Sequence, residues 1–356
     1  MYGVLTKEEV ERYSRQIVMK HIGTEGQKKL KEARVCVVGV GGLGSYSSMQ
    51  LAAMGFGHLR IVDRDVVDLT NLQRQPLYDG ASIGYPKVEA AMKRLRALNP
   101  HVEIESLTAS VDFESAEKVV RGMDVVVDGL DRFAPRYAIN RACVRLKVPY
   151  IFGGALETYG NVSSIIPEKT ACLECFMGKM KDERLPTCET VGVIPPTVSV
   201  IASIQVKETL DIVLGLTPSL AGRLLFCDLN NMTFDVFNVV RKASCQACGS
   251  VSPEATASEV PASGAPRVAE LCGKNAFSIT PGKTLSLDIP KLALALRERY
   301  KLNMTTQFGV TLAYSDGVSV SLLKGGNALI KGATGRKEAL RIYDELMSLA
   351  SEAQSF

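Results

Sequence analysis

The feature that most constrains the fold is a regular alternation of short apolar segments with helical segments over residues 34–154. The apolar segments are RVCVVG, LRIVD, VEIESL, MDVVVDG and VPYIFGG. Strands that are apolar throughout and are separated by amphipathic helices are typical of parallel sheets covered on both faces. The sequence therefore predicts an α/β fold with a Rossmann-like, doubly wound sheet that is mostly parallel.

After Gly153 the pattern changes, because NVSSIIP, RLLFCDL and TFDVFNVV follow one another with a single long helix, 196–214, among them. These segments predict an antiparallel extension of the sheet. A stretch rich in Ser, Ala, Pro and Gly then predicts a flexible linker, and the last segments predict a small α+β domain. We therefore expect a large domain at 1–248, a linker at 249–270 and a C-terminal domain at 271–356.

Composition limits the classes of function. The chain has 356 residues and a formal net charge of only +4, so its charge does not demand nucleic acid or a membrane as partner. It has a polar amino terminus and no apolar run of membrane-spanning length. Nine cysteines, four of them in two CxxC pairs, indicate metal or thiol chemistry in a cytoplasmic protein rather than a disulfide scaffold.

A glycine-rich turn follows the first strand and precedes a helix, as a nucleotide-binding loop does. In the sequence GVGGLG, the residues Gly39, Gly41, Gly42 and Gly44 let the backbone approach phosphate groups at the amino end of the helix. Asp63 ends the next strand and can accept hydrogen bonds from ribose hydroxyls. On its own this motif favours an NAD-dependent oxidoreductase.

The residues that follow Asp63 favour ATP instead. The stretch DRDVVDLTNLQRQ places Asn71 and Arg74 beside the ribose acid, Lys87 begins a helix, and Asp131 follows another strand at the same edge of the sheet. Singly, Arg74 and Lys87 would be ordinary surface charges. Two cations and a carboxylate around one nucleotide suit ATP with Mg²⁺, with Asp131 facing the metal.

The cysteines fall into two groups. Cys36 and Cys227 lie in apolar strands and Cys143 in a helix, which predicts core positions. The other group forms two CxxC pairs about 70 residues apart, which is the usual arrangement of a structural Zn²⁺ site. A redox-active pair is the alternative. The four residues of this predicted zinc site are Cys172, Cys175, Cys245 and Cys248.

The ordered set ERYSRQ, GVGGLG, NLQRQ, GYPK and GLD resembles the MoeB, ThiF and HesA family of adenylyltransferases, which are E1-like relatives of the ubiquitin-activating enzymes. The resemblance implies adenylation of the carboxyl terminus of a small ubiquitin-fold protein that ends in Gly-Gly. On the matching positions it implies that Asp63 holds ribose and that Arg74 and Lys87 bind phosphates with support from Asn71. It also implies that Asp131 places Mg²⁺.

The same resemblance implies a homodimer in which Arg15 reaches the active site of the other subunit. It also implies a role for Cys188 as a nucleophile that forms a thioester or, in sulfur-transfer members, an acyl persulfide. Not every member of the family needs this cysteine, so a chance loop cysteine remains the alternative. The short segment between Cys175 and Cys188 favours the compact dimeric kind of enzyme.

Three functions are carried forward from the sequence. The first is activation of a ubiquitin-like protein, either for conjugation through a conjugating enzyme or as a sulfur carrier. The second is an NAD-dependent oxidoreductase, and the third is a non-catalytic scaffold that binds nucleotide or partner. In the C-terminal domain, a hairpin at 315–317 and a strand at 325–332 predict a docking surface for a partner. Removal of 271–356 is then expected to spare ATP–pyrophosphate exchange and impair transfer.

Overall fold

The structure is a computed structural model that describes residues 4–182, 185–188, 190–249, 265–271, 275–282 and 285–354. Most of the predicted linker and Cys272 lie outside these residues. The helices in this part of the chain are α1 (Lys7–Arg12), α2 (Ser14–Ile17), α3 (Gly23–Glu32), α4 (Gly42–Met54), α5 (Lys87–Leu98), α6 (Ala116–Val120), α7 (Phe133–Leu146), α8 (Leu173–Met177), α9 (Pro195–Leu214), α10 (Ile289–Arg297) and α11 (Arg336–Gln354). None of them combines the length and apolar content needed to cross a bilayer.

The strands form two sheets. Their bounds are β1 (Arg34–Val38), β2 (His58–Asp63), β3 (Glu103–Thr108), β4 (Val125–Asp128), β5 (Tyr150–Leu156), β6 (Tyr159–Ile165), β7 (Arg223–Asp228), β8 (Thr233–Asn238), β9 (Arg267–Leu271), β10 (Ala276–Thr280), β11 (Lys301–Thr305), β12 (Gly309–Ser315), β13 (Val318–Leu323) and β14 (Ala328–Lys331).

The first sheet has eight strands in the order β3-β2-β1-β4-β5-β6-β7-β8. Strands β1 to β5 are parallel to their neighbours, and β5 to β8 are antiparallel. The chain moves outward from β1 to β3 and then returns to place β4 on the other side of β1. This reversal creates a crevice at the carboxyl ends of β1 and β4. The predicted doubly wound sheet with an antiparallel extension is confirmed.

Strand β1 shows why its sequence is apolar at every position. Val35 and Val37 pack into a core with α3, α4, α5 and α9, whereas Cys36 and Val38 pack into a second core with α6, α7 and α8. All four side chains are buried. A strand covered on both faces cannot alternate polar with apolar residues. The buried environments of Cys36, Cys143 and Cys227 confirm the prediction of core positions.

The sequence at 6–20 predicts a single helix that begins with a capping box of Thr6 and Glu9, whereas the structure has two short helices, α1 and α2. The capping box is present, because Thr6 Oγ1 accepts from Glu9 N at 3.2 Å and Glu9 Oε2 accepts from Thr6 N at 2.7 Å. The helix breaks at Tyr13, which is buried against Gly55 and whose hydroxyl accepts from Asn99 Nδ2 at 2.7 Å. Burial of this ring therefore accompanies the turn that separates α1 from α2.

The second sheet is antiparallel, with the strand order β11-β12-β13-β14-β10-β9. Helices α10 and α11 cover one of its faces through Leu292, Leu296, Ile342 and Leu346. The hairpin between β12 and β13 turns at Gly317, whose φ of 76° favours glycine. Strands β9 and β10 precede the first helix of this domain, and the sequence pattern did not predict them.

Candidate nucleotide site and cysteine cluster

The turn between β1 and α4, together with the first turn of α4, contains all four predicted glycines. Gly39 has a φ of 86°, and a Cβ atom there would lie 2.5 Å from the carbonyl oxygen of Gly129. A Cβ atom at Gly44 would lie 1.8 Å from the carbonyl oxygen of Gly39. Neither position has room for a side chain. Gly41 is the N-cap of α4 and Gly42 its first residue, so the amino end of the helix faces the crevice.

Asp63 ends β2 beside the glycine turn and fixes that turn. Its carboxylate accepts from Val40 N and from Asp65 N, both at 2.8 Å. The hydroxyl of Tyr78 donates to the carbonyl oxygen of Val40 at 2.8 Å, which holds the same turn from its other side. Burial raises the pKa of Asp63, and the charge of Lys87 offsets this only in part. The acid predicted to hold ribose therefore has a fixed position.

Lys87 is the first residue of α5 and its side chain is only 8% exposed. Its Nζ lies 3.3 Å from Asp65 Oδ2. Burial acts to lower the pKa of Lys87, but the charges of Asp65 and Asp63 prevail and raise it, so the ammonium group stays charged. A buried cation at the edge of a crevice is suited to bind a phosphate group.

Residues 64–86, termed here the nucleotide loop, connect β2 to α5. Backbone hydrogen bonds close the base of this loop, from Val67 N to Tyr85 O at 2.8 Å and from Gly84 N to Val67 O at 2.9 Å. Because the base is closed, residues at the tip of the loop keep a defined position relative to Lys87.

Asn71 and Arg74 lie near the tip of the nucleotide loop. Asn71 Oδ1 accepts from Asp68 N at 3.1 Å, which orders the turn that precedes Arg74. Arg74 Nη1 donates to Thr70 O at 2.9 Å, and its side chain is partly exposed. Arg74 thus has a hydrogen bond to its own loop and remains accessible to an anion.

Asp131 is exposed beyond the carboxyl end of β4, and a buried network fixes the turn that carries it. Asp128 Oδ1 accepts from Leu130 N at 2.8 Å, Asp128 Oδ2 accepts from the Tyr150 hydroxyl at 2.8 Å, and Arg136 Nε lies 3.0 Å from Asp128 Oδ2. Arg136 also donates to the carbonyl oxygen of Leu130 at 2.6 Å. The charge of Asp131 acts on Lys87 and Arg136.

Arg136 and Tyr150, which fix this turn, were not predicted from the sequence as part of the candidate site. The one available signal was Asp128, which ends a parallel strand as Asp63 does and likewise accepts the amide of the residue two positions on. Nothing local to Arg136 or Tyr150 indicates a partner 8 or 22 residues away.

Cys188 lies at the same edge of the sheet, with Sγ 3.6 Å from the carbonyl oxygen of Ala155 near the end of β5. Its side chain is half-buried. Burial raises the pKa of this thiol, while the charges of Arg74 and Arg136 act to lower it and that of Asp131 to raise it. The structure thus brings Cys188 into the electrostatic field of the predicted nucleotide site, in its thiol form.

Arg15 lies on α2, away from the crevice of its own chain. The neighbouring Gln16 donates to the carbonyl oxygen of Met54 at 2.7 Å, at the carboxyl end of α4. That end is roughly 18 Å along the helix from Gly42. Arg15 is exposed, and its guanidinium has no hydrogen-bond or ion-pair partner among the described residues.

The four cysteines of the two CxxC pairs converge. Their sulfur atoms lie within 4.8 Å of one another, and all four residues are buried. The Sγ atoms of Cys172 and Cys245 are 3.6 Å apart, and those of Cys175 and Cys248 are 3.4 Å apart. Four sulfurs at about 2.3 Å from a tetrahedral zinc ion would be separated by about 3.8 Å. The cluster is therefore compatible with a closed, structural zinc site.

Sequence and structure comparisons agree with this arrangement. The model of the ThiF family matches residues 13–249. The sulfur carrier protein ThiS adenylyltransferase of Bacillus subtilis (strain 168) is 33% identical over 347 residues, covering 93% of this chain and 98% of that protein. The SAMP-activating enzyme E1 of Haloferax volcanii is 38% identical over 242 residues, covering 68% of this chain and 89% of that protein. The crystal structure of E. coli MccB with ATP has a TM-score of 0.60 and 26% identity, and covers 67% of this chain and 74% of that one.

A doubly wound sheet with a glycine turn, an acid at the end of β2 and a buried lysine, together with these relatives, defines an enzyme of the E1-like adenylyltransferase class. The chain belongs to the ThiF family. Because its relatives are adenylyltransferases and activating enzymes, the alternative of an NAD-dependent oxidoreductase is set aside.

Proposed function

We propose that this protein uses ATP to adenylate the C-terminal carboxylate of a ubiquitin-fold sulfur-carrier protein that ends in Gly-Gly. The observation that carries the proposal is the convergence of the glycine turn, Asp63, the buried Lys87 and Asp131 at one crevice of a ThiF-family sheet. The name of the Bacillus subtilis relative, which aligns over almost the whole chain, favours a sulfur carrier as substrate.

The chemistry requires charge neutralisation and positioning rather than a general base, because the carboxylate of the substrate is already ionised at neutral pH. One carboxylate oxygen forms a bond to the α-phosphorus of ATP. The bond from that phosphorus to the bridging oxygen breaks, and pyrophosphate leaves with the electron pair. Lys87 and Arg74 stabilise the negative charge on the phosphates, and Asp63 and Asn71 hold the nucleotide in place.

Two metal ions belong to this proposal. Asp131 is the carboxylate that would hold the Mg²⁺ accompanying ATP, since it is exposed at the crevice and carboxylate oxygen is the ligand that Mg²⁺ prefers. Zn²⁺ would be held by the four-cysteine cluster. There it would link α8 and the residue before it, which provide Cys172 and Cys175, to the segment after β8, which provides Cys245 and Cys248. Neither role requires a metal-bound intermediate.

Arg15 completes the site in a homodimer under this proposal. Its position far from the crevice of its own chain and its lack of a partner among the described residues support a role in a second copy. Mixing equal amounts of Arg15→Ala and Lys87→Met protein tests the dimer, because half the dimers would then hold one intact site. The ATP–pyrophosphate exchange activity of the mixture should reach roughly a quarter of the wild-type value, well above that of either variant alone. A mixture no more active than the variants would contradict the role of Arg15 in the site of a second copy.

Cys188 acts in the second step of the proposal. Its thiol attacks the carbonyl carbon of the acyl-adenylate, a thioester forms, AMP leaves and the thiol proton passes to solvent. Because burial raises the pKa of Cys188 above that of an ordinary thiol, the thiolate is scarce at neutral pH. The rate of thioester formation should therefore rise about tenfold per pH unit across the neutral range, in proportion to the thiolate fraction.

Mass spectrometry tests the whole sequence of steps. Wild-type protein and Cys188→Ala are each incubated with Mg-ATP and candidate ubiquitin-fold proteins ending in Gly-Gly, without reductant. A reductant-sensitive adduct one partner mass heavier, absent from Cys188→Ala, supports adenylation followed by a Cys188 thioester. Formation of AMP and pyrophosphate without an adduct would support adenylation but not a Cys188 thioester. It would favour direct transfer of sulfur to the adenylated partner. No AMP with any candidate, even with excess pyrophosphatase, contradicts the proposal.

A further inference from the structure

The second sheet contacts the nucleotide loop through the face that α10 and α11 leave uncovered. Lys331 Nζ, at the end of β14, lies 2.6 Å from Asp68 Oδ2 in that loop. Although burial acts in the opposite direction, Lys331 and Thr70 hold the pKa of the Asp68 carboxyl well below its usual range. Asp68 N donates in turn to Asn71 Oδ1, so the ion pair connects the C-terminal domain to the turn that carries a predicted nucleotide residue.

A second contact lies at the base of the nucleotide loop. The hydroxyl of Thr311 on β12 donates to the carbonyl oxygen of Gly84 at 3.5 Å, and Met304 Cε lies 3.4 Å from the position of a Cβ atom on Gly84. Phe308, between β11 and β12, packs against the core that includes Leu77 and Tyr78 of the loop. Both polar and apolar groups of the C-terminal domain therefore contact the nucleotide loop.

A third contact fixes the C-terminal domain to the rigid sheet. Ser110 follows β3, and its hydroxyl donates to Asn327 Oδ1 at 3.0 Å. A Cβ atom on Gly325 would lie 2.6 Å from the carbonyl oxygen of Thr108 at the end of β3, so only glycine permits this approach. The C-terminal domain therefore has one contact with the first sheet and two contacts with the nucleotide loop, so it can hold the loop in position relative to the sheet.

We infer that the C-terminal domain is an intramolecular brace of the nucleotide loop and that Lys331 is a positioning residue for ATP binding. The inference rests on the proposed use of ATP. Residues 325–332, expected from the sequence to dock a partner, include Gly325, Asn327 and Lys331, which contact the large domain of the same chain. Removal of the domain should consequently weaken nucleotide binding as well as any later step.

The experiment replaces Lys331 with Met, which keeps the apolar stem and removes the charge. Lys331→Arg is the conservative variant, and Lys301→Met is the matched control, because Lys301 is exposed on β11 of the same sheet. Two quantities are measured, namely the KM for ATP in pyrophosphate exchange and the hydrogen–deuterium exchange of residues 64–86 without nucleotide. The second measurement requires neither activity nor a protein substrate.

For Lys331→Met we expect a two- to fivefold rise in the KM for ATP with kcat nearly unchanged, the range for a partly exposed ion pair. Hydrogen exchange should accelerate in residues 64–86, while Lys331→Arg and Lys301→Met match the wild type. Unchanged protection of the loop in Lys331→Met would overturn the brace, and a KM rise without that change would instead assign Lys331 to direct contact with ATP. A wild type without exchange activity would contradict the proposed function, whereas the loop measurement would still decide on the brace.

Discussion

The cysteine cluster and the nucleotide site both assemble from residues far apart in the sequence, but only the cluster is closed. Its four sulfurs are buried and lie within 4.8 Å of one another, with no space for a substrate between them. At the nucleotide site, Lys87 is paired with Asp65 and Arg136 with Asp128, whereas Asp131 remains exposed. A complete set of four thiols is compatible with one enclosed metal ion. The exposed carboxylate of Asp131 leaves the other region open to a ligand.

The difference also concerns the energy that each region contributes. A structural metal bound by four ligands from distant segments adds directly to the stability of the fold. Charges gathered for a substrate have a desolvation cost that their mutual pairing offsets only in part. Substitutions in the cluster should therefore affect stability first, and substitutions in the crevice should affect catalysis first.

The largest effect is expected for Cys248→Ser. Loss of one thiolate removes the tetrahedral sulfur set and releases the segment after β8 from α8, so the free energy of unfolding should fall by more than about 4 kcal/mol. Denaturant unfolding and zinc content per chain measure this effect. Cys188→Ser is the matched control, because the same substitution outside the cluster should leave zinc content at the wild-type value. Equal stability losses in the two variants would contradict a structural metal site.

A large effect on catalysis is expected for Lys87→Met. Removal of the buried ammonium group leaves Arg74 as the remaining proposed cation for the phosphates, and the rate of ATP–pyrophosphate exchange should fall about 10²- to 10³-fold. Lys93→Met is the control on the same helix, since the Lys93 side chain is 59% exposed and its ion-pair partner, Glu89, belongs to the same helix. A comparable loss of ATP–pyrophosphate exchange in both variants would show that the rate depends on the total charge of α5 rather than on the position of Lys87.

The sequence predicted those features that depend on local patterns. The sequence pattern predicts helices near 42–54 and 133–146, and α4 and α7 have these bounds, because each follows an apolar strand and ends where the periodicity ends. The glycines and Asp63 were predicted as nucleotide-binding residues because fixed spacing in the sequence reflects a local turn. Lys87 was predicted from its place at the start of a helix at the same sheet edge and from the family resemblance. The two CxxC pairs were identified by the same kind of spacing.

What the sequence did not predict depends on contacts between distant residues. The break at Tyr13 accompanies the packing of its ring on Gly55, 42 residues further on. The brace joins Lys331 to Asp68 across 263 residues, and Tyr150 joins Asp128 across 22. Such pairs consist of ordinary residues without a motif, and only the folded chain brings them together.

The smallest of these effects is expected for Tyr150→Phe, which tests whether the buried network behind Asp131 belongs to the catalytic region. The substitution removes the hydroxyl that donates to Asp128 at 2.8 Å and leaves a buried carboxylate oxygen with one donor fewer. The free energy of unfolding should fall by about 1–2 kcal/mol. Tyr314→Phe is the control, because its hydroxyl bonds to Glu345 at a partly exposed site where water can replace it.

The pH dependence of exchange separates a functional network from a merely structural one. Burial already raises the pKa of Asp128, and the hydrogen bond from Tyr150 acts to lower it, so Tyr150→Phe should raise it further. Protonated Asp128 no longer pairs with Arg136, whose guanidinium holds the Leu130 carbonyl next to Asp131. Exchange activity should therefore be lost at a higher pH in Tyr150→Phe than in wild type as the solution is acidified. An unchanged acid limb, together with the expected loss of stability, would place the network in the core of the fold and outside the reaction.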